Sequence, residues 1–169
     1  MPENNQPIGT DATGFDILTQ AVRDLLNRFP GLEDGEEILY ETLAVDGGIA
    51  FSNNAGALVY TDREDICGTV RQTCRYPFFV VYRAAEAARE AKNLSVQEFL
   101  DTLGKWVCGE PVTIHGVSER LTDRPVLTNG RRITRITRDN LYASDPGTKG
   151  IQDWVLPVTV EYTNEFERW

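Results

Sequence analysis

Between Phe15 and Phe29 the large apolar residues Phe15, Leu18, Val22, Leu25, Leu26 and Phe29 recur at steps of three and four. That spacing lays them along one stripe of an α-helix of about four turns. Thr13 with Asp16 offers a capping pair at its start, and Pro30-Gly31 ends it. A second stripe, Val96, Phe99, Leu100, Leu103, Trp106 and Val107, predicts another helix that stops at Gly109 and Pro111. The Ala- and Glu-rich run from Ala84 favours helix too, but Asn93-Leu94-Ser95 interrupts it, and the Ser95–Glu98 capping box places the start at Ser95.

The remaining pattern alternates. EILYETLAV reads as a strand after a solvated acidic turn of Glu33, Asp34, Glu36 and Glu37. GTVRQTCRYPFFVVYRA is extended: the apolar density of FFVVY argues for a central strand, while Pro77 marks a bulge or an edge. PVTIHGV, a segment around Val126 and Leu127, RRITRIT and the closing WVLPVTVEY read as further strands, with Asn129-Gly130 as a hairpin turn between the middle two. In the last of these Trp154, Leu156, Val158, Val160 and Tyr162 share one face, and Thr159, Glu161 and Thr163 the other.

Pro157 cannot donate to a ladder, so this strand is expected at an edge, with Asn164 to Trp169 continuing beyond the sheet. Phe166 and Trp169 would then pack on a neighbouring subunit or fold back beneath the chain's own helix. Residues 46 to 66, with Gly-Gly, Asn-Asn and Ala-Gly, read as a long mobile excursion holding one weak hairpin, and 143 to 150 as a turn-rich loop. Residues 1–12 read as a flexible arm and 13–169 as one domain. The expected fold is α+β: a largely antiparallel or mixed sheet of about five strands with two main helices packed on one face.

Charge narrows the partners. With 17 basic and 26 acidic residues the chain carries a formal charge of -9, which repels phosphate backbones and anionic lipid. Free nucleic acid and membrane are therefore not expected as partners. No apolar run approaches the roughly 20 residues of a membrane span, and MPENNQPIGTDATG lacks the basic and apolar regions of a secretion signal. The expectation is a soluble protein made in a cytoplasm.

Candidate chemistry is sparse. Cys67, Cys74 and Cys108 lack the short paired spacing of a zinc site and read as small, half-buried apolar residues. The single histidine, His115, has neither a nucleophile motif nor a second imidazole beside it. DGGIAF and DPGTKGI lack the spacing of a phosphate-cradling loop, and neither a nucleophile elbow nor a metalloprotease helix occurs. No catalytic residue, cofactor or metal is expected. The rival is a small enzyme or ligand-binding domain with a pocket near His115, using Cys108 or the tyrosines.

Arg120, Arg124, Arg131, Arg132, Arg135 and Arg138 form one basic stretch in this acidic chain, without the interleaved aromatics of a nucleic-acid reader. Such a strip suits acidic protein surface, including that of other copies, and points to a homo-oligomer.

The order of parts, and segments such as YPFFVVYR, SVQEFLDTLGKWV and WVLPVTVEYTNEFERW, resemble the tail terminator (tail completion) proteins of long-tailed bacteriophages, often labelled minor capsid proteins, over residues 14–169. The resemblance implies a structural virion protein. It would form a hexameric ring at the head-proximal end of the tail, end polymerisation of the tube protein and present a surface to the head–tail connector protein. The partners implied are copies of itself, the tube protein and the connector, and the location is the head–tail junction after synthesis in the host cytoplasm. The family has no short signature to carry over. Interface candidates are therefore drawn from the loops, the basic strip and the tail: Asp46, Asn53, Asn54, Arg131, Arg132, Arg135, Lys149, Phe166 and Trp169.

Overall fold

A computed structural model describes residues 14–44, 47–84, 89–144 and 151–169. The elements, in order, are α1 (Phe15–Leu26), β1 (Ile38–Tyr40), β2 (Gly48–Ser52), β3 (Leu58–Glu64), β4 (Thr69–Ala84) and α2 (Arg89–Val107). Then come β5 (Val112–Ile114), β6 (Val117–Glu119), β7 (Arg131–Arg138), β8 (Tyr142–Ala143) and β9 (Gln152–Glu167). The expected flexible arm falls outside the described residues, as does Thr13.

Two 16-residue strands, β4 and β9, pair antiparallel along their whole length, from Thr69 opposite Glu167 to Ala84 opposite Gln152. Each carries two short strands end to end on its outer flank. On β4 these are β2, opposite Phe79–Arg83, and β3, opposite Val70–Arg75. On β9 they are β7, opposite Val158–Asn164, and β8, opposite Trp154 and Val155. β1 adds a parallel pair outside β2, so the seven-stranded sheet is mixed; β5 and β6 form a separate hairpin.

The expectation that Pro157 confines the last strand to an edge is overturned, because β9 lies between β4 and the β7–β8 pair. In an antiparallel ladder a residue's nitrogen and carbonyl point to the same side. The Pro157 carbonyl accepts the Asp139 amide at 3.0 Å, so the proline nitrogen faces the break between the last β7 pair, Arg138–Val158, and the first β8 pair, Tyr142–Val155. Pro77 repeats the arrangement on β4. Its carbonyl accepts from Asn53 Nδ2, and it faces the break between the end of β2, Ser52 opposite Phe79, and the start of β3, Leu58 opposite Arg75. Both prolines sit where no neighbouring strand asks for an N–H.

The mobile excursion expected over 46–66 is a correction of the same origin. Where described, most of it is strand: β2 buries Ile49, Ala50 and Phe51, and β3 forms a hairpin with β4. The strand expected around Val126 and Leu127 is absent; residues 121–127 run without a ladder, although Asn129 and Gly130, at φ 58° and 72°, do make the turn. A Cβ on Gly130 would lie 2.2 Å from the Glu165 carbonyl oxygen, so glycine is required there by space as well as by φ. The tail does not leave the sheet at Asn164, since Asn164–Glu167 pair with Thr69–Gln72.

Even-numbered residues of β4 and β9, including Tyr76, Phe78, Val80, Leu156, Val158 and Tyr162, face one hydrophobic cluster shared with both helices. α1 contributes Leu18, Val22, Leu25 and Leu26 from 12 residues, a turn shorter than expected, beginning at Gly14 without a side-chain cap. Asn27 then joins helix to sheet: its amide bonds both the N–H and the carbonyl of Ile38, which closes the end of β1. α2 is continuous from Arg89, so the capping box at Ser95 does not start it; the Asn and Ser cost only a few tenths of a kcal/mol in a helix otherwise rich in good formers. Phe29 packs against Phe99 and Trp106, which locks the two helices together over the same face. Gly104 lets α2 approach closely, since a Cβ there would meet Arg138 and Leu156.

Candidate functional site

β3, the first half of β4 and the end of β9 run side by side, with β7 beside β9 as far as Asn164, and the three extend past it as a blade. All seven residues of β3 are exposed, among them Leu58, Val59 and Tyr60. The blade is stiffened from its open side by charges in direct register. Arg71 meets Glu165 at 3.0 Å and Arg75 meets Glu161 at 3.1 Å, and the Arg75 guanidinium lies 4.1 Å from the centre of the Tyr60 ring. Cross-strand pairs at such exposure contribute about 0.2–1 kcal/mol each, enough to favour one register.

The tip is an Asp65–Gly68 turn. Asp65 Oδ1 accepts the backbone N–H groups of Cys67 at 2.8 Å and Thr69 at 3.1 Å, and Gly68 takes φ 86°. Those N–H groups, Thr69 foremost, hold the Asp65 carboxyl below its usual value. Arg168 is tied in through its backbone N–H to the Gly68 carbonyl and through its side chain to Glu64 at 3.2 Å and Asp62 at 3.9 Å. Trp169 therefore lies over Gly68. The result is a rigid tip on which Ile66 is fully exposed and Trp169 is 91% exposed.

A second feature lies across the sheet, outside β7. The α2 helix ends where Gly109, at φ 83°, donates to Trp106, and residues 120–127 return as a strap. Two arginines clamp the strap: Arg120 Nε donates to the Gly109 carbonyl at 3.0 Å, and Arg124 Nη1 to the Thr134 carbonyl at 2.7 Å. Between α2, the strap and the start of β7 lies a groove of about 920 Å³. Val126, Leu127 and Ile133 line it together with Arg120, Arg124 and Arg132. Val126 is 94% exposed, an apolar side chain with almost no cover.

The sequence candidates fall into distinct places. Arg131 and Arg132 line the groove, whereas Arg135 lies further along β7 in a smaller hollow beside Tyr60, Pro77 and Glu161. Asn53 is buried and its amide is engaged with Pro77 and Gly56, while Asn54 is exposed at the β2–β3 break. Phe166 is on the blade, opposite Val70, and Trp169 is at its tip. Asp46 and Lys149 lie outside the described residues. Ile66 and Val126 were not foreseen as site residues. The signal for Ile66 was present in Asp65-Ile66-Cys67-Gly68, a turn sequence between two alternating runs.

His115 and Cys108 are not brought together. His115 occupies the two-residue turn of the β5–β6 hairpin with Gly116, at φ 49° and 77°, exposed and outside the groove lining. Cys108 does line the groove, but burial pushes its thiol up, only partly offset by Arg138, so it is a poor nucleophile at neutral pH. Among the described residues no group of three or more His, Cys, Asp or Glu side chains is placed to hold a metal ion.

What the two features can do is bind. The blade tip offers large apolar groups beside carboxylates, and the groove offers apolar lining beside guanidinium groups. Compared with known proteins, the chain matches no family model and no curated sequence.

Proposed function

We propose that this chain is a structural subunit that assembles with copies of itself. Within that class we place it as the tail terminator of a long-tailed bacteriophage: a hexameric ring that caps the head-proximal end of the tail tube, ends its polymerisation and joins the tail to the connector. The observation that carries the reading is the blade. A stiff ribbon that presents Leu58, Val59, Tyr60, Ile66 and Trp169 to solvent costs solubility in a solitary monomer and serves one that associates. Multiple copies turn modest single contacts into lasting attachment through effective concentration. The resemblance in the order of parts and in the three quoted segments supports the narrower placement at the tail.

The test is to add the purified chain at substoichiometric amounts to polymerising tube protein from the same source and follow light scattering and co-sedimentation. The expected result is early arrest of growth, with the chain pelleting on the tubes. Growth at the unmodified rate with the chain left in the supernatant would overturn the proposal.

A further inference from the structure

We infer that the blade tip, Ile66 with Trp169, seats in the arginine-rimmed groove under residues 120–127 of a second copy of this chain. The inference rests on the self-assembly reading above and names the two surfaces involved. At this end of the sheet the strand order is β3-β4-β9-β7; the tip is formed at the ends of β3, β4 and β9, and the groove lies outside β7. Because they are different patches, the contact is heterologous. Such contacts propagate head to tail and close into a ring when the rotation permits.

The chemistry of the two patches matches. Around Ile66 and Trp169 stand Asp62, Glu64, Asp65, Glu165 and Glu167 against Arg63, Arg71 and Arg168, with Arg71 paired to Glu165 and Arg168 to Glu64 and Asp62, so the tip is acidic on balance. Around Val126 and Leu127 stand Arg120, Arg124 and Arg132, against the one carboxylate of Asp123 in the lining. Apolar groups meet apolar groups, and an acidic rim meets a basic rim, in a chain whose overall charge of -9 would otherwise make copies repel. The groove's volume of about 920 Å³ is in the range that takes several side chains.

Both partners are also preformed. The tip is held by the Asp65 turn, the Arg168 pairs and the β4–β9 register, and the strap by its two arginine clamps. Association therefore orders little, which keeps its entropic cost low. Within one copy the tip does not fill the groove, since Ile66, Trp169 and Val126 all remain open to solvent.

The test uses Ile66→Asp and Val126→Asp, both at side chains with almost no intramolecular contact, and native mass spectrometry over a concentration series. Each variant alone is expected to weaken assembly at least tenfold while keeping the wild-type melting temperature. An equimolar mixture is expected to form a one-to-one dimer and nothing larger. In that dimer the I66D copy supplies an intact groove and the V126D copy an intact tip. If either variant assembles like the wild-type chain, or the mixture stays monomeric, this contact is wrong, and assembly of the wild-type chain runs through another surface. If the wild-type chain itself stays monomeric at millimolar concentration, the self-assembly reading falls with it.

Discussion

Asn53 stands at the break where β2 stops following β4. Its side-chain oxygen accepts the Gly56 N–H, and its nitrogen reaches the carbonyls of Gly56 and Pro77. Replacing it with Ala leaves buried polar backbone groups without partners, at a cost of about 2–3 kcal/mol that urea denaturation would read as a lower midpoint at unchanged slope. In the sequence Asn53-Asn54 reads as an exposed turn dipeptide. The burial was not legible because the partner that explains it, Pro77, is 24 residues away. A second prediction concerns the buried phenols. Tyr76, whose hydroxyl pairs with Thr19 at 2.7 Å, is pushed up to about 12 by burial, and Tyr162 is raised by burial as well. Raised folded values mean that the unfolded chain releases these protons first, near pH 10, so their stabilising effect is intact below pH 10 and is lost as pH rises toward 12. Phenolate absorbance and far-UV circular dichroism, followed together, should show these two tyrosines ionising only with unfolding; free ionisation in an intact fold would contradict the burial.

At the level of elements, the paired prolines make a claim that sequence rules alone reverse. Pro157 opposite Phe79 and Pro77 opposite Thr159 occupy the two central strands, each turned toward a break on its outer flank. Since no ladder bond is missing at either place, Pro77→Ala and Pro157→Ala should each shift stability by only about 1 kcal/mol or less, mainly through the freer unfolded chain. A loss of several kcal/mol in thermal or urea unfolding would show that the ring itself is needed. The helices were legible because their stripes are local: Leu18, Val22 and Leu25, or Val96, Leu100 and Leu103, announce themselves within a few residues. β2 and β3 were not legible. Gly47-Gly48, Asn53-Asn54 and Gly56 look like loop, and only the length of β4 supplies the edge on which these segments order. The start of α2 was missed for the opposite reason, because a strong local cap was outweighed by the continuity of the helix around it.

For the molecule as a whole, the α+β layering of two helices on one face of a mixed sheet followed from the alternation, while the site did not. The basic strip was visible as charge, but that Arg120 and Arg124 would clamp a strap and Arg132 would line a groove depends on where β7 lies against α2. The terminal aromatics were expected beyond the sheet; instead β9 carries Phe166 within its ladder and delivers Trp169 to the tip formed by Ile66. On the proposed reading the blade tip and the groove outside β7 are the unlike surfaces through which copies would repeat around an axis and stop a polymer. Electron microscopy of the chain mixed with the tube protein of the proposed tail tests this most directly. The account predicts tubes bearing one ring-shaped cap at a single end and a length that falls as the chain is added; bare ends with an unchanged length distribution would contradict it.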